Sequence, residues 1–234
     1  MKTFVKRDPR APAGMYQAEA DGLAWLRGIS LRVPDVISVD DAHIELEWLD
    51  LADRVDDAAF GRGLAQLHAS GAAAMGHTSN NFISVLPQDN TVEADIVTFY
   101  CERRLRPLAR RLEPMLHERI DMLADRASLF GPPERPARLH GDLWSGNVGS
   151  VDGAPVIFDP SVYGGHREID LAMLQLFGSI SSRFVDAYSE VWPLQSDWRE
   201  RTSLWQLYPI GVHAVLFGGG YMRQLLSTFD DVLA

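Results

Sequence analysis

Between Val148 and Pro160 the chain reads VGSVDGAPVIFDP, and this stretch constrains the fold more than any other. Val148 and Val151 suggest one strand, and Val156, Ile157 and Phe158 a second. Asp152-Gly153 between them is a strong short-range hairpin signal. A hairpin returns the chain to its start, so Asp159 should stand beside Asn147. Five residues before Asn147, within RLHGDLWSGN, lies Asp142. Three oxygen-bearing side chains, Asp142, Asn147 and Asp159, are therefore expected to face one small space.

A carboxylate and a carboxamide are hard oxygen ligands of the kind Mg²⁺ accepts while keeping waters and taking phosphate oxygens. With Asn147 and Asp159 on the metal, Asp142 stays free to accept a proton. That is the division of labour in kinase-type phosphoryl transfer, and the Asp-to-Asn spacing equals that of the kinase catalytic loop. Asp-x4-Asn alone is a weak pattern, because Asp, Asn, Ser and Gly are common in turns. His140-Gly141 ahead of it, and the hairpin with Asp159 behind it, make the pattern specific.

The flanking sequence predicts an α+β fold. Thr3 to Lys6 and Val36 to Val39 read as strands, with a helix from Tyr16 to Arg27 between them. His43 to Trp48 alternates strictly, placing Ile44, Leu46 and Trp48 on one face. From Ala58 the period is helical, with Phe60, Leu64, Leu67 and His68 recurring until Gly71. A loop containing Gly76, Asn80, Asn81 and Pro87 is expected next, then a helical region from about Val92 to Leu129 broken at Pro107 and Pro114. GPPERPA reads as a linker. Beyond Leu171 the chain reads as helices broken at Pro193, Pro209 and Gly218 to Gly220. The predicted domains are a small β-rich head, 1–50, and a large helical body, 51–234, with the hairpin set into the body.

Charge and cysteine content narrow the function. Lys plus Arg is 22 and Asp plus Glu is 32, a net charge of -10, which argues against nucleic acid, whose affinity comes from neutralised phosphates. Cys101 is the only cysteine, so no intrachain disulfide forms and a reducing compartment is expected. MKTFVKRDPR has no apolar run behind its basic residues, and no stretch of 18 apolar residues follows. These features predict a cytoplasmic protein without a membrane partner.

LHGDLWSGN followed by VIFDPSVYGGHREIDLAM resembles the fructosamine kinase (ketosamine 3-kinase) family, within the protein-kinase-like superfamily that includes aminoglycoside and choline kinases. FVKR near the start, EA-x-GL at 19–23, ELEWLDL at 45–51, NNFISVLPQDN at 80–90 and LFGGGY at 216–221 extend the similarity over nearly the whole chain. The resemblance implies a two-lobe fold with a hinge at about 47–50, ATP and Mg²⁺ as cofactors, and phosphorylation of a sugar hydroxyl on free or protein-bound fructosamines or ribulosamines. It implies that Lys6 contacts nucleotide phosphates and that Glu19 pairs with it. Leu46 would guard the adenine pocket, with the backbones of Glu47 and Leu49 bonding the base. Asp142 would be the catalytic base, and Asn147 and Asp159 the metal ligands. Trp144, His166 and Glu168 are the implied substrate contacts, although Trp144 reads equally as a core anchor. His140 would orient loop backbone, and Asp170 would support the catalytic loop.

Residue type alone gives blander expectations elsewhere. Arg103, Arg104, Arg106, Arg110 and Arg111 read as a solvated face, and His68 and His213 as structural. The family's two strands and glycine-rich loop ahead of the lysine strand are not in this sequence. The small lobe then has three strands and an open edge at Thr3 to Lys6, which a second copy could pair to form a homodimer. Two alternatives follow: a kinase of another small acceptor (aminoglycoside, choline-like compound or amino sugar), or a nucleotide-binding pseudokinase.

Overall fold

The structure, a computed structural model, describes residues 2–52 and 54–234. The chain opens with β1 (Thr3–Lys6), α1 (Met15–Leu26), β2 (Val36–Val39) and β3 (Ile44–Glu47), and the strands form an antiparallel sheet in the order β1-β3-β2. Register pairs Phe4 with Leu46 and Lys6 with Ile44. The expected alternation holds for Ile44 and Leu46, which are buried, and fails at Trp48. Trp48 lies past the end of β3, half-exposed, with the Lys2 ammonium 3.5 Å from its ring centroid. Leu23, Leu26, Ile44 and Leu46 share one apolar core with Leu64, Leu67, Leu143 and Leu171. The N-terminal strands and α1 thus pack directly on the segment that contains Leu143.

Helix α2 (Asp57–Ala69) starts where Asp56 accepts a hydrogen bond from the Ala59 N–H, 2.9 Å. The expected loop after it holds a tight hairpin, β4 (Asn81–Ile83) and β5 (Leu86–Gln88). Strands of three residues, one containing Pro87, leave no period to read. The next helical stretch runs as α3 (Ile96–Thr98), a π-helix over Phe99–Leu105, and α4 (Arg106–Ala109). Pro107 sits in the first turn of α4 and causes no break, while Pro114 immediately precedes α5 (Met115–Ala124) as expected.

Two further strands, β6 (Ala137–Leu139) and β9 (Tyr163–Gly165), pair antiparallel and clasp both ends of the segment that carries Asp142, Asn147 and Asp159. Between them lies the predicted hairpin, β7 (Val148–Val151) and β8 (Ala154–Ile157), with Val148 opposite Ile157. Its tip has Asp152 at φ 51° and Gly153 at φ 80°, as a type I′ turn requires. The body continues through α6 (Glu168–Leu176), α7 (Ser182–Val191), α8 (Thr202–Phe217) and α9 (Gly220–Leu233).

Pro209 lies inside α8 rather than ending it. Proline removes the N–H that would bond the carbonyl four residues back, that of Trp205. The Tyr100 hydroxyl, from the π-helix, donates to that region instead, 3.0 Å from the Trp205 oxygen and 2.9 Å from that of Leu204. Satisfying the orphaned acceptor from a neighbouring helix lets α8 run on. Among the described residues, no helix is long and apolar enough to cross a membrane.

Candidate active site

Gly141 explains why the loop before Asp142 is glycine. Its φ is +82°, and a Cβ there would lie 2.0 Å from the Ser161 carbonyl oxygen. The loop is held by Asp170, whose fully buried carboxylate accepts from the N–H groups of His140 (2.8 Å) and Gly141 (2.9 Å). His68 Nε2 lies 3.1 Å from the same carboxylate, and its Nδ1 is 2.7 Å from the Tyr188 hydroxyl. His68 is a packed core histidine, as expected, and it also orients Asp170. Burial favours the neutral carboxyl, but these donors outweigh it and hold the Asp170 pKa below the ordinary value.

His140 joins the loop to the strand that returns to it. Its Nε2 is 2.9 Å from the Phe158 carbonyl and its Nδ1 is 3.3 Å from the Asp142 N–H. Burial pulls its pKa down, and a neutral ring supplies the one donor and one acceptor this arrangement needs. The hairpin closes beside it through the Phe158 N–H to the Asn147 carbonyl, 3.2 Å. Asn147 Nδ2 donates to the backbone carbonyl of Asp142 (2.9 Å) and to its carboxylate (3.2 Å), leaving Asn147 Oδ1 for another partner. Asp159 sits at φ 58°, a left-handed conformation uncommon for a non-glycine residue and concentrated at functional sites.

Lys6 ties the head to this site. Its ammonium bonds the Asp159 carboxylate and lies 2.6 Å from Glu19 Oε1 on α1. Burial pulls the Lys6 pKa down, but the two carboxylates outweigh it and the net shift is upward. Asp142 is pushed up to about 7, chiefly by burial, with the nearby Asp159 charge adding and the Asn147 hydrogen bond opposing. Such a group is poised as a general base near neutrality. The Asp159 charge felt at Asp142 marks a place where a cation would be stabilised. Among the described residues no group of three or more His, Cys, Asp or Glu is arranged to hold a metal ion by itself. A cation here would take oxygens from Asn147 and Asp159 and the remainder from phosphate and water, which suits Mg²⁺.

Besides a small cavity of about 30 Å³, two larger cavities meet at Asp142. One, of about 270 Å³, is lined by Lys6, Glu19, Asn81, Ser84, Asp142 and Asp159 among others. The other, of about 340 Å³, is lined by Ser84, Asp142, Trp144, Phe177, His213, Phe217 and Tyr221, with aliphatic neighbours. Trp144 meets Phe177 edge-on at 6.2 Å between centroids, Phe177 lies 5.1 Å from His213, and His213 lies 5.0 Å from Tyr221. Trp144 is 38% exposed, so it is a wall of this cleft and not a core anchor. A larger cleft of about 730 Å³ at the start of α2 holds neither Lys6 nor Asp142, so size alone does not locate the chemistry.

Two of the expected substrate residues are not brought here. His166 and Glu168 are almost fully buried. The Glu168 carboxylate accepts from Arg201 (2.7 and 2.8 Å) and from the Trp205 indole N–H (2.9 Å), and His166 stacks on Trp205. They line neither cavity at Asp142; a buried carboxylate with three donors is a structural anchor. Leu46, Glu47 and Leu49 also lie outside the Lys6 cavity. Leu46 is in the core beneath the sheet, and the Glu47 N–H is already bonded to the Asp35 carbonyl, 2.8 Å. Among the described residues, the Leu49 N–H has no partner.

The model of the fructosamine kinase family matches residues 1–234. The chain belongs to the fructosamine kinase family. A probable ketoamine kinase of Enterococcus faecium is 35% identical to it, over 97% of this chain and 87% of that one. A protein-ribulosamine 3-kinase of Oryza sativa is 35% identical over 98% of this chain and 72% of its own. The solved structure of a candidate fructosamine-3-kinase from Thermobifida fusca superposes with a TM-score of 0.89 at 43% identity, covering 99% of this chain and 85% of that one. A choline/ethanolamine kinase family protein of Mesorhizobium loti shares the fold alone, at a TM-score of 0.60 and 14% identity over 98% of this chain and 80% of that one. This fructosamine kinase family member is therefore a phosphotransferase of protein-kinase-like fold that uses ATP.

Sequence reading missed the far wall of the second cavity. His213, expected to be structural, faces this cleft, as do Phe177, Phe217 and Tyr221. The available signal was the pair His213 and Phe217, four apart on one face of α8; Tyr221 joins them only because the Gly218-Gly219 break folds α9 back beside it.

Proposed function

We propose that the chain is an ATP-dependent ketosamine kinase, transferring the γ-phosphoryl group to a sugar hydroxyl of a fructosamine or ribulosamine, free or attached to protein. The observation that carries this reading is the place of Asp142, on the shared wall of a charged cleft and an aromatic one. Lys6 binds the phosphates and Glu19 orients its ammonium. Glu47 and Leu49 border the adenine through the Glu47 carbonyl and the Leu49 N–H, and Leu46 packs behind them in the core. Asn147 and Asp159 would hold Mg²⁺, which when bound would neutralise charge on the transferring phosphoryl group. Asp142 takes the hydroxyl proton as the new O–P bond forms. Trp144 lines the sugar's side of the cleft. Most of the rate then comes from positioning and charge neutralisation.

The aromatic cleft favours this acceptor over an aminoglycoside. Among the described residues Asp142 is its only acidic lining residue, too little charge to hold a polycation. Its rings also suit a quaternary ammonium, so choline is the necessary control. Incubating the chain with Mg-ATP and each acceptor class, and reading ADP release with the mass of the product, should show turnover on a fructosamine or ribulosamine. Faster phosphorylation of choline or an aminoglycoside would replace the acceptor in this reading. Mg-ATP binding without any transfer would favour a pseudokinase.

Strand β1 lies at the sheet edge with Phe4 and Val5 exposed, and pairing of two copies there is our reading of that edge. A lone, buried Cys101 supports placement in a reducing, cytoplasmic setting.

A further inference from the structure

Asp142 is not alone at the junction of the two cavities. Ser84 is the other residue lining both. It forms the tip of the β4–β5 hairpin with Val85. We propose that Ser84 is the second protein group at the point of transfer, donating its hydroxyl hydrogen to an oxygen of the phosphoryl group as that group passes to the acceptor. This rests on the phosphotransfer reading above.

The backbone of the turn is the first support. Ser84 has φ 53°, whereas Val85 is not among the residues of positive φ. A two-residue hairpin turn with positive φ only at its first central position is of type II′, where glycine is favoured. A serine there is strained, and such strain concentrates at functional sites. Only three non-glycine residues among those described have positive φ. Asp152 has it because its hairpin turn demands it. Asp159 has it in the active site. Ser84 is the third, and a turn that had only to reverse the chain would be better served by glycine.

The strain is held by a buried polar network reaching the metal-binding segment. Gln88 donates to Asn81 Oδ1 (2.8 Å) and to the Ser161 carbonyl (3.1 Å), and Asn81 donates to the Val162 carbonyl (2.8 Å). Ser161 Oγ donates back to the Phe82 carbonyl, 2.7 Å. Arg104, expected on a solvated face, is fully buried instead, bonding Asn90 Oδ1 at 2.6 Å with its guanidinium against the rings of Phe99 and Tyr163. Asn90 in turn donates to Asn81 Oδ1, 3.0 Å. The turn is thereby tied to the segment two residues past Asp159. The Ser84 hydroxyl has no hydrogen bond to any described residue, and the side chain is exposed to both cavities.

In the step itself the acceptor oxygen bonds to phosphorus, the bond from phosphorus to the leaving ADP oxygen breaks, and the hydroxyl proton moves to Asp142. Ser84 keeps its proton and only strengthens a hydrogen bond as charge develops. Losing that bond to a charged group should lower kcat by roughly 10- to 100-fold.

The test compares wild type, Ser84→Ala and Ser84→Gly in steady-state turnover with Mg-ATP, together with thermal melting. Both variants should lose kcat with little change in either KM. Ser84→Gly should also melt higher, by about 2–4 °C, because glycine relieves the strained φ. A slower yet more stable Ser84→Gly protein is an outcome that a purely structural turn does not produce. Wild-type kcat in either variant would overturn the proposal. The wild-type rate on a ketosamine tests the substrate reading separately. The ratio of variant to wild type is taken on whichever alcohol acceptor the wild type phosphorylates, so either idea can fail without the other.

Discussion

The two sides of Asp142 are built from different chemistry. On the side proposed to take the phosphates, Lys6, Glu19 and Asp159 are charged, part-buried and locked together by ion pairs. On the acceptor side, Trp144, Phe177, Phe217 and Tyr221 form an aromatic wall whose members are partly exposed, Phe217 most of all. Fixed charges suit a ligand that never varies, the triphosphate. A loosely covered aromatic wall suits a ligand with one reactive hydroxyl and a variable amine substituent, because rings give contact area and cation–π attraction without demanding one hydrogen-bond pattern.

If that division is real, variants should sort by side. Asp142→Asn, at the boundary, should lower kcat by about 10²–10⁴-fold while Mg-ATP still raises the melting temperature. Loss of nucleotide binding in this variant would mean that the boundary is drawn in the wrong place. Lys6→Ala should raise the KM for ATP by roughly 10- to 100-fold, the usual worth of a hydrogen bond to a charged group, and leave the acceptor KM alone. Phe217→Ala should do the reverse, raising the acceptor KM by roughly 2- to 30-fold with the ATP KM unchanged. Equal effects on both constants from either variant would erase the distinction.

The phosphate side was far more legible in the sequence than the acceptor side, for a physical reason. Asp142, Asn147 and Asp159 lie within 18 residues and are joined by a turn whose Asp152-Gly153 tip is a local conformational signal. Local signals survive without knowledge of the fold. The acceptor wall gathers Trp144, Phe177 and residues 213–221 from separate elements, and no short-range rule links them. Tertiary partners likewise decided the misread elements. Pro209 stays inside α8 because Tyr100 serves the freed carbonyl, and Arg104 is buried because aromatic rings and Asn90 receive it. His166 and Glu168 follow the hairpin closely in sequence, yet their partners Arg201 and Trp205 lie more than 30 residues later and draw them into the core.

A smaller effect sharpens the electrostatics of the boundary. The folded-state pKa of Asp142 is raised to about 7 from an ordinary 3.8. The folded protein therefore holds a proton that the unfolded chain releases, and this group lowers stability as pH rises from about 4 to about 7. Asp142→Asn removes that penalty. Melted without nucleotide or Mg²⁺, the variant should exceed wild type at pH 8, and the gap should close toward pH 4. A constant gap across that range would mean that Asp142 is not the buried carboxylate described.

The central claim is that triphosphate and acceptor approach Asp142 from opposite cavities. A crystal structure with Mg²⁺, a non-hydrolysable ATP analogue and a ketosamine measures this directly. Phosphates should lie against Lys6, and one sugar hydroxyl within about 2.6–3.2 Å of the Asp142 carboxylate with the amine substituent along Phe177 and Phe217. Phosphates outside the Lys6 cavity, or a sugar bound with every hydroxyl out of reach of Asp142, would contradict it.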